Sequence, residues 1–107
     1  MKIEISKKEI KLHISALEAN INYWMFESGC FEDYSVEICS AILLLEKLAD
    51  ENYRFSERVW VDGRIFTIQE LKKEYISRLK EYMPPNESDY YYEEFKSALE
   101  RAEKYLG

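Results

Sequence analysis

Histidine, cysteine and glycine are scarce in this chain, and each shortage removes a class of chemistry. One histidine, His13, and two cysteines, Cys30 and Cys39, are too few for a recognisable zinc set, and neither Cys-x-x-Cys nor His-x-x-x-His occurs. A Ser–His–Asp arrangement would depend entirely on His13, which falls off the apolar stripe of its segment and reads as a surface residue. Three glycines, none beside another, exclude a Gly-rich phosphate loop. Acids number 21, yet no pair is flanked by features that would mark a general acid and base. The expectation is a protein that is not an enzyme and uses neither cofactor nor metal.

Long apolar runs are missing too. The longest, Ala41 to Leu45, is far below the ~20 residues that cross a bilayer. No apolar stretch follows Lys2, Lys7, Lys8 and Lys11, so no signal peptide is expected. Two cysteines do not make a secreted disulfide scaffold. A cytoplasmic location is the reading.

Cations are missing from one long stretch. Between Leu12 and Glu46 there is no Lys or Arg, whereas Glu18, Glu27, Glu32, Asp33, Glu37 and Glu46 contribute −6. The first eleven residues carry +2 and the remainder from Lys47 carries −2, so this stretch alone equals the whole net charge of −6. That balance argues against direct nucleic-acid binding, which needs clustered Lys and Arg, and against anionic membranes.

With only two prolines in 107 residues, long loops have little room, and the apolar periodicities predict helices. Ser6 opens a capping box with Glu9. Ile10, Ile14, Leu17, Ile21 and Trp24 then form one stripe on a helix running to about Ser28, with Gly29 placed to end it. Met1–Ile5 alternates and suits a short strand or arm. A second helix starts between Phe31 and Val36, with core candidates Ile38, Cys39, Ile42, Leu45 and Ala49, and Leu43 and Leu48 widening the face. The short link makes the first two helices an antiparallel hairpin.

Asp62-Gly63 lies between runs rich in β-branched and aromatic residues, and predicts a type I′ β-hairpin over 58–67. In that register Trp60 faces Ile65 and Val59 faces Phe66. The hairpin must pack on the helices or pair with Met1–Ile5, since alone it is marginal. Thr67 and Glu70 form a second capping box, and Ile68, Leu71, Tyr75, Leu79 and Tyr82 make the buried stripe of a third helix, with Glu74 and Arg78 paired. Pro84-Pro85 stops it. Ser88 or Asp89 caps a fourth, with Tyr92, Phe95, Leu99, Ala102 and Leu106 inside and Glu100–Lys104 paired outside. The whole is one mainly α (α+β) domain spanning residues 1–107. Its four helices hold one small β-hairpin between the second and third.

The acidic helical hairpin is expected to meet a basic surface on a partner protein. Glu27, Glu32, Asp33 and Glu37 are the candidate charges. Phe26, Phe31, Tyr90 and Tyr91 are the candidate apolar anchors, because exposed aromatics among acids suit protein interfaces. The abundance of Ile, Lys, Glu, Asn and Tyr is similar in style to accessory proteins of low-GC bacteria and their phages, a likeness of composition that identifies no function. A phage- or mobile-element-encoded inhibitor of a nucleic-acid-handling or defence system fits the acidic surface, with carboxylates standing in for phosphates. The alternative is a homo-oligomeric helical module, a homodimer for instance, with Leu44, Leu48 and the Trp24 turn between protomers.

Overall fold

The computed structural model describes residues 7–51 and 58–107. In chain order they form α1 (Lys7–Asn22), a single π-helical turn (Tyr23–Glu27), α2 (Ser35–Glu51), β1 (Arg58–Val61), β2 (Arg64–Thr67), α3 (Ile68–Tyr82) and α4 (Tyr92–Leu106). This is the expected mainly α architecture, four helices with one antiparallel hairpin between the second and third. The proposed Met1–Ile5 strand and the Ser6 cap lie outside the described residues, as do the side chains of Ile10 and Ala49.

The β-hairpin has the expected register, Val59 opposite Phe66 and Trp60 opposite Ile65. Asp62 and Gly63 have φ of 54° and 66°, the left-handed pair that a type I′ turn requires. Val59, Val61 and Phe66 face the core, whereas Trp60 and Ile65 stand outside. A two-stranded ribbon leaves outward-pointing amides on each edge. On the β1 side those of Trp60 and of the turn residue Asp62 donate to Glu18 Oε2 (2.6 Å) and Asn22 Oδ1 (2.7 Å) of α1. The ribbon is thus sealed by a helix.

Thr67 closes β2 and opens α3 in the same residue. Its hydroxyl accepts from the Glu70 amide at 3.0 Å, and its own amide donates to Glu70 Oε1 at 3.1 Å, the reciprocal capping box read from the sequence. Ile68, Leu71, Tyr75 and Leu79 are buried. Tyr82, expected on that stripe, is exposed: it is the last residue of α3, and the stripe has run past the core. On α2, Ile38, Cys39, Ala41, Ile42 and Leu45 are buried. Lys72 of α3 is buried as well, its Nζ 2.6 Å from Glu46 Oε2.

Helix α4 begins later than its capping signals suggested. Asn86 and Asp89 turn their side chains onto the amides of Ser88 and Tyr91 at 3.0 Å each, so these residues build successive turns after Pro84-Pro85 instead of a helix cap. Tyr91 occupies the cap position without a side-chain bond. Phe95, Ala98, Ala102 and Leu106 then pack inward, and Lys104 lies over the Tyr105 ring rather than on Glu100. Replacing Thr67 by Ala removes the cap from α3 where it joins β2. It should lower unfolding free energy by about 1 kcal/mol in a denaturant titration; an unchanged midpoint would contradict this role for the cap.

Candidate functional site

The acidic stretch owes its shape to how α1 ends. The Ser28 amide donates to the Tyr23 carbonyl at 2.8 Å, a five-residue step that widens the last turn. The Ser28 hydroxyl takes the next carbonyl, that of Trp24, at 2.8 Å, and Gly29 then reverses the chain at φ +74°. This turn shifts the apolar face: Ile21 and Met25 are buried, and Trp24 is only half-buried, so Met25 replaces Trp24 as the final member of the stripe. Trp24 instead stacks on Tyr34, ring centroids 6.1 Å apart.

Beyond Gly29 the chain drives Phe31 inward. Its ring meets those of Tyr75, Tyr82 and Phe95 edge-on, at centroid separations of 6.4, 5.7 and 5.8 Å, a favourable quadrupole arrangement. The Phe31 carbonyl accepts a buried hydrogen bond of 2.8 Å from the Tyr75 hydroxyl. Burial pushes the Tyr75 phenol well above its ordinary range, so it remains a donor.

Around this anchor lies a cleft of about 620 Å³ between the α1–α2 turn, the end of α3 and the start of α4. Phe26, Tyr82 and Tyr91 contribute rings to its walls, Glu32 and Asp33 contribute carboxylates, and the half-buried Cys30 thiol also lines it. On the other side of Glu32 and Asp33, a shallower groove carries Glu93, Glu94 and Arg101. One carboxylate oxygen from each of Glu32, Asp33 and Glu94 lies within 4.8 Å of the other two. Such a trio offers only hard oxygen donors, the kind suited to Ca²⁺ or Mg²⁺, although the sequence singled out no metal set. Burial raises the Glu32 carboxyl above its ordinary value. Glu94 is raised too, by desolvation and then by the neighbouring Asp33 charge.

The eight residues singled out in the sequence separate into three groups. Phe26, Phe31, Glu32, Asp33 and Tyr91 converge on the cleft. Two of these, Phe31 and Glu32, are buried, which corrects their expected place on an open surface: the ring completes an aromatic cluster, and its neighbour in sequence is carried down with it. Phe26 is half-buried under the Arg78 guanidinium, 4.4 Å from its ring centroid. Glu27 and Glu37 are exposed away from the cleft, Glu27 accepting a 3.0 Å bond from Asn22. Tyr90 is 82% exposed, and its one aromatic contact among the described residues is with the Tyr91 ring. The sequence reading missed Glu94, Arg78 and Tyr82. Glu94 closes the tyrosine–acid run Asp89-Tyr90-Tyr91-Tyr92-Glu93-Glu94, but nothing local could join it to Asp33.

Cys39 is buried in the core, its thiol pushed up to about 11 by that burial, and it behaves as a small hydrophobe. No helix among the described residues is long and apolar enough to cross a membrane. Comparison of the chain with protein-family models, curated proteins and solved structures finds no match.

The raised carboxyls carry a pH signature. In the native state Glu32 and Glu94 hold protons that the unfolded chain has released, so between the ordinary carboxylate value of 4.5 and their higher folded values, stability falls as pH rises. Glu70 opposes this, since its carboxyl is lowered by the Thr67 hydrogen bonds, and its contribution is lost on acidification below its ordinary value. Glu32→Gln removes the Glu32 share of the first effect and leaves the Glu70 contribution in place. It should raise the melting temperature at pH 7 and flatten its pH dependence; an unchanged or lower melting temperature would contradict a desolvated charge at this position.

Proposed function

We propose that this protein is a non-enzymatic binding module that occupies a basic surface of a partner protein through the acidic turn between α1 and α2. The observation that carries this reading is electrostatic. Lys72, Arg64 and Arg78 pair with Glu46, Asp62 and Glu74. None of the described ion pairs involves Glu27, Glu32, Asp33 or Glu37. Arg101 lies beside Glu32 and Asp33 yet donates to the Ser35 hydroxyl. Carboxylates left without cations project a negative potential that speeds encounter with a basic partner and selects against acidic ones. Tyr90 and Tyr91, 82% and 51% exposed, supply apolar area beside that charge.

A phage- or mobile-element-encoded inhibitor of a nucleic-acid-handling or defence protein fits these properties, with carboxylates standing where phosphates would bind. Its setting would be the cytoplasm. Such binding should weaken with ionic strength, because exposed charges are screened within about 8 Å at physiological salt. The test is capture of host proteins by the wild-type chain and by a Glu27→Lys, Asp33→Lys, Glu37→Lys triple variant across a salt series. The reading predicts basic proteins retained by wild type and lost with salt and with the reversal; retention indifferent to both would overturn it.

A second reading rests on exposed apolar side chains of the hairpin and of α2. Trp60 and Ile65 face each other across the hairpin at 59% and 53% exposure, and Leu44 on α2 is 46% exposed. Such apolar groups suit a homodimer. Sedimentation equilibrium separates the two readings: a concentration-dependent mass that collapses in Trp60→Ser supports the dimer, and a monomer throughout removes it.

A further inference from the structure

The aromatic cleft beside the acidic turn is built for more than general negative charge. We infer that it receives a single arginine side chain of the basic partner, the guanidinium meeting Glu32 and Asp33 and lying against the ring walls. This rests on the reading above and assigns its central contact.

Three observations point the same way. The first is the burial of Glu32, which is 8% exposed and lines the cleft, yet has no cation within ion-pairing distance among the described residues. Burial disfavours its charge, and its own backbone amide is the one group that favours it. A carboxylate in that position bears a desolvation cost that an incoming cation offsets. The second is the lining. Tyr82 and Tyr91 are 57% and 51% exposed and line the cleft together with Glu32 and Asp33, with Glu94 adding a third charge from the adjoining groove. A guanidinium stacks on rings and forks across carboxylate oxygens, whereas an ammonium is a strongly hydrated point charge. The third is that the two arginines beside the cleft and its groove, Arg78 and Arg101, are committed elsewhere. Arg78 is held by Glu74 at 3.1 Å and by the Phe26 ring, and Arg101 is turned toward Ser35. A phosphate-bearing ligand would meet net repulsion here.

The test uses the full ¹⁵N-labelled chain at low salt and neutral pH, titrated with the capped peptide Gly-Ser-Arg-Ser-Gly and with its lysine counterpart. The arginine peptide should shift the amides of Gly29 to Asp33 and Tyr91 to Phe95 with saturation, and the lysine peptide should bind more weakly. Asp33→Asn is exposed and leaves the core intact; it should weaken arginine binding about tenfold, the loss of one charged hydrogen bond. Equal affinity for both peptides overturns the guanidinium assignment. Shifts confined to the surface around Glu37 overturn the cleft while leaving the acidic-surface reading standing, as does an absence of shifts if the charge-reversal capture still succeeds. Ca²⁺ producing the same shifts at lower concentration than the peptide also overturns the inference, making the carboxylates a metal site.

Discussion

The α1–α2 turn is held in place by Phe31, and the arrangement of the acidic surface follows from that one anchor. Its ring fills the space between Tyr75, Tyr82 and Phe95, and its carbonyl receives the Tyr75 hydroxyl. The anchor therefore ties the turn to α3 and α4 at once. A ring alone would tolerate sliding. The buried hydrogen bond fixes the backbone, because an unpaired carbonyl there would cost about 1–3 kcal/mol. Residues on either side are then committed: Cys30 and Glu32 are drawn inward, and Asp33 is left facing Glu94.

The charge imbalance survives folding because the later helices use their cations among themselves. Glu74 engages both Arg64 and Arg78; the Arg64 guanidinium lies over the Phe26 and Phe66 rings, and that of Arg78 over Phe26. This joint couples the β-hairpin, α3 and the π-turn, so withdrawing either arginine to neutralise the acidic turn would break it. Lys72 is committed in the same way to Glu46. Local structural needs thus decide which acids are compensated, and among the described residues no ion pair reaches those at the turn.

Much of this architecture was legible because it is encoded over a few residues. Asp62-Gly63 specifies its turn by backbone sterics, Thr67 and Glu70 specify a helix start by reciprocal hydrogen bonds, and the stripe from Ile68 to Leu79 specifies a buried face. The site was only half legible. Five of its residues were chosen for charge or aromaticity, and they do converge. Their burial could not be read, because Phe31 goes inward only when α3 and α4 present three rings to it. The π-turn was hidden for a related reason: Tyr23 to Phe26 is apolar nearly all round, so periodicity does not decide between Trp24 and Met25. Glu94 joins Asp33 through tertiary packing alone, with no trace in local spacing.

Native-state hydrogen exchange in Tyr75→Phe tests the anchor most directly. The Asp33 amide, which donates to the Cys30 carbonyl at 3.0 Å, reports the turn, and the Val61 and Arg64 amides report the distant hairpin. If the Tyr75–Phe31 bond pins the turn, Asp33 should be protected in the wild type and lose protection in the variant by more than the hairpin does. An Asp33 amide that exchanges freely in the wild type, or one whose protection the variant leaves untouched, would contradict the account.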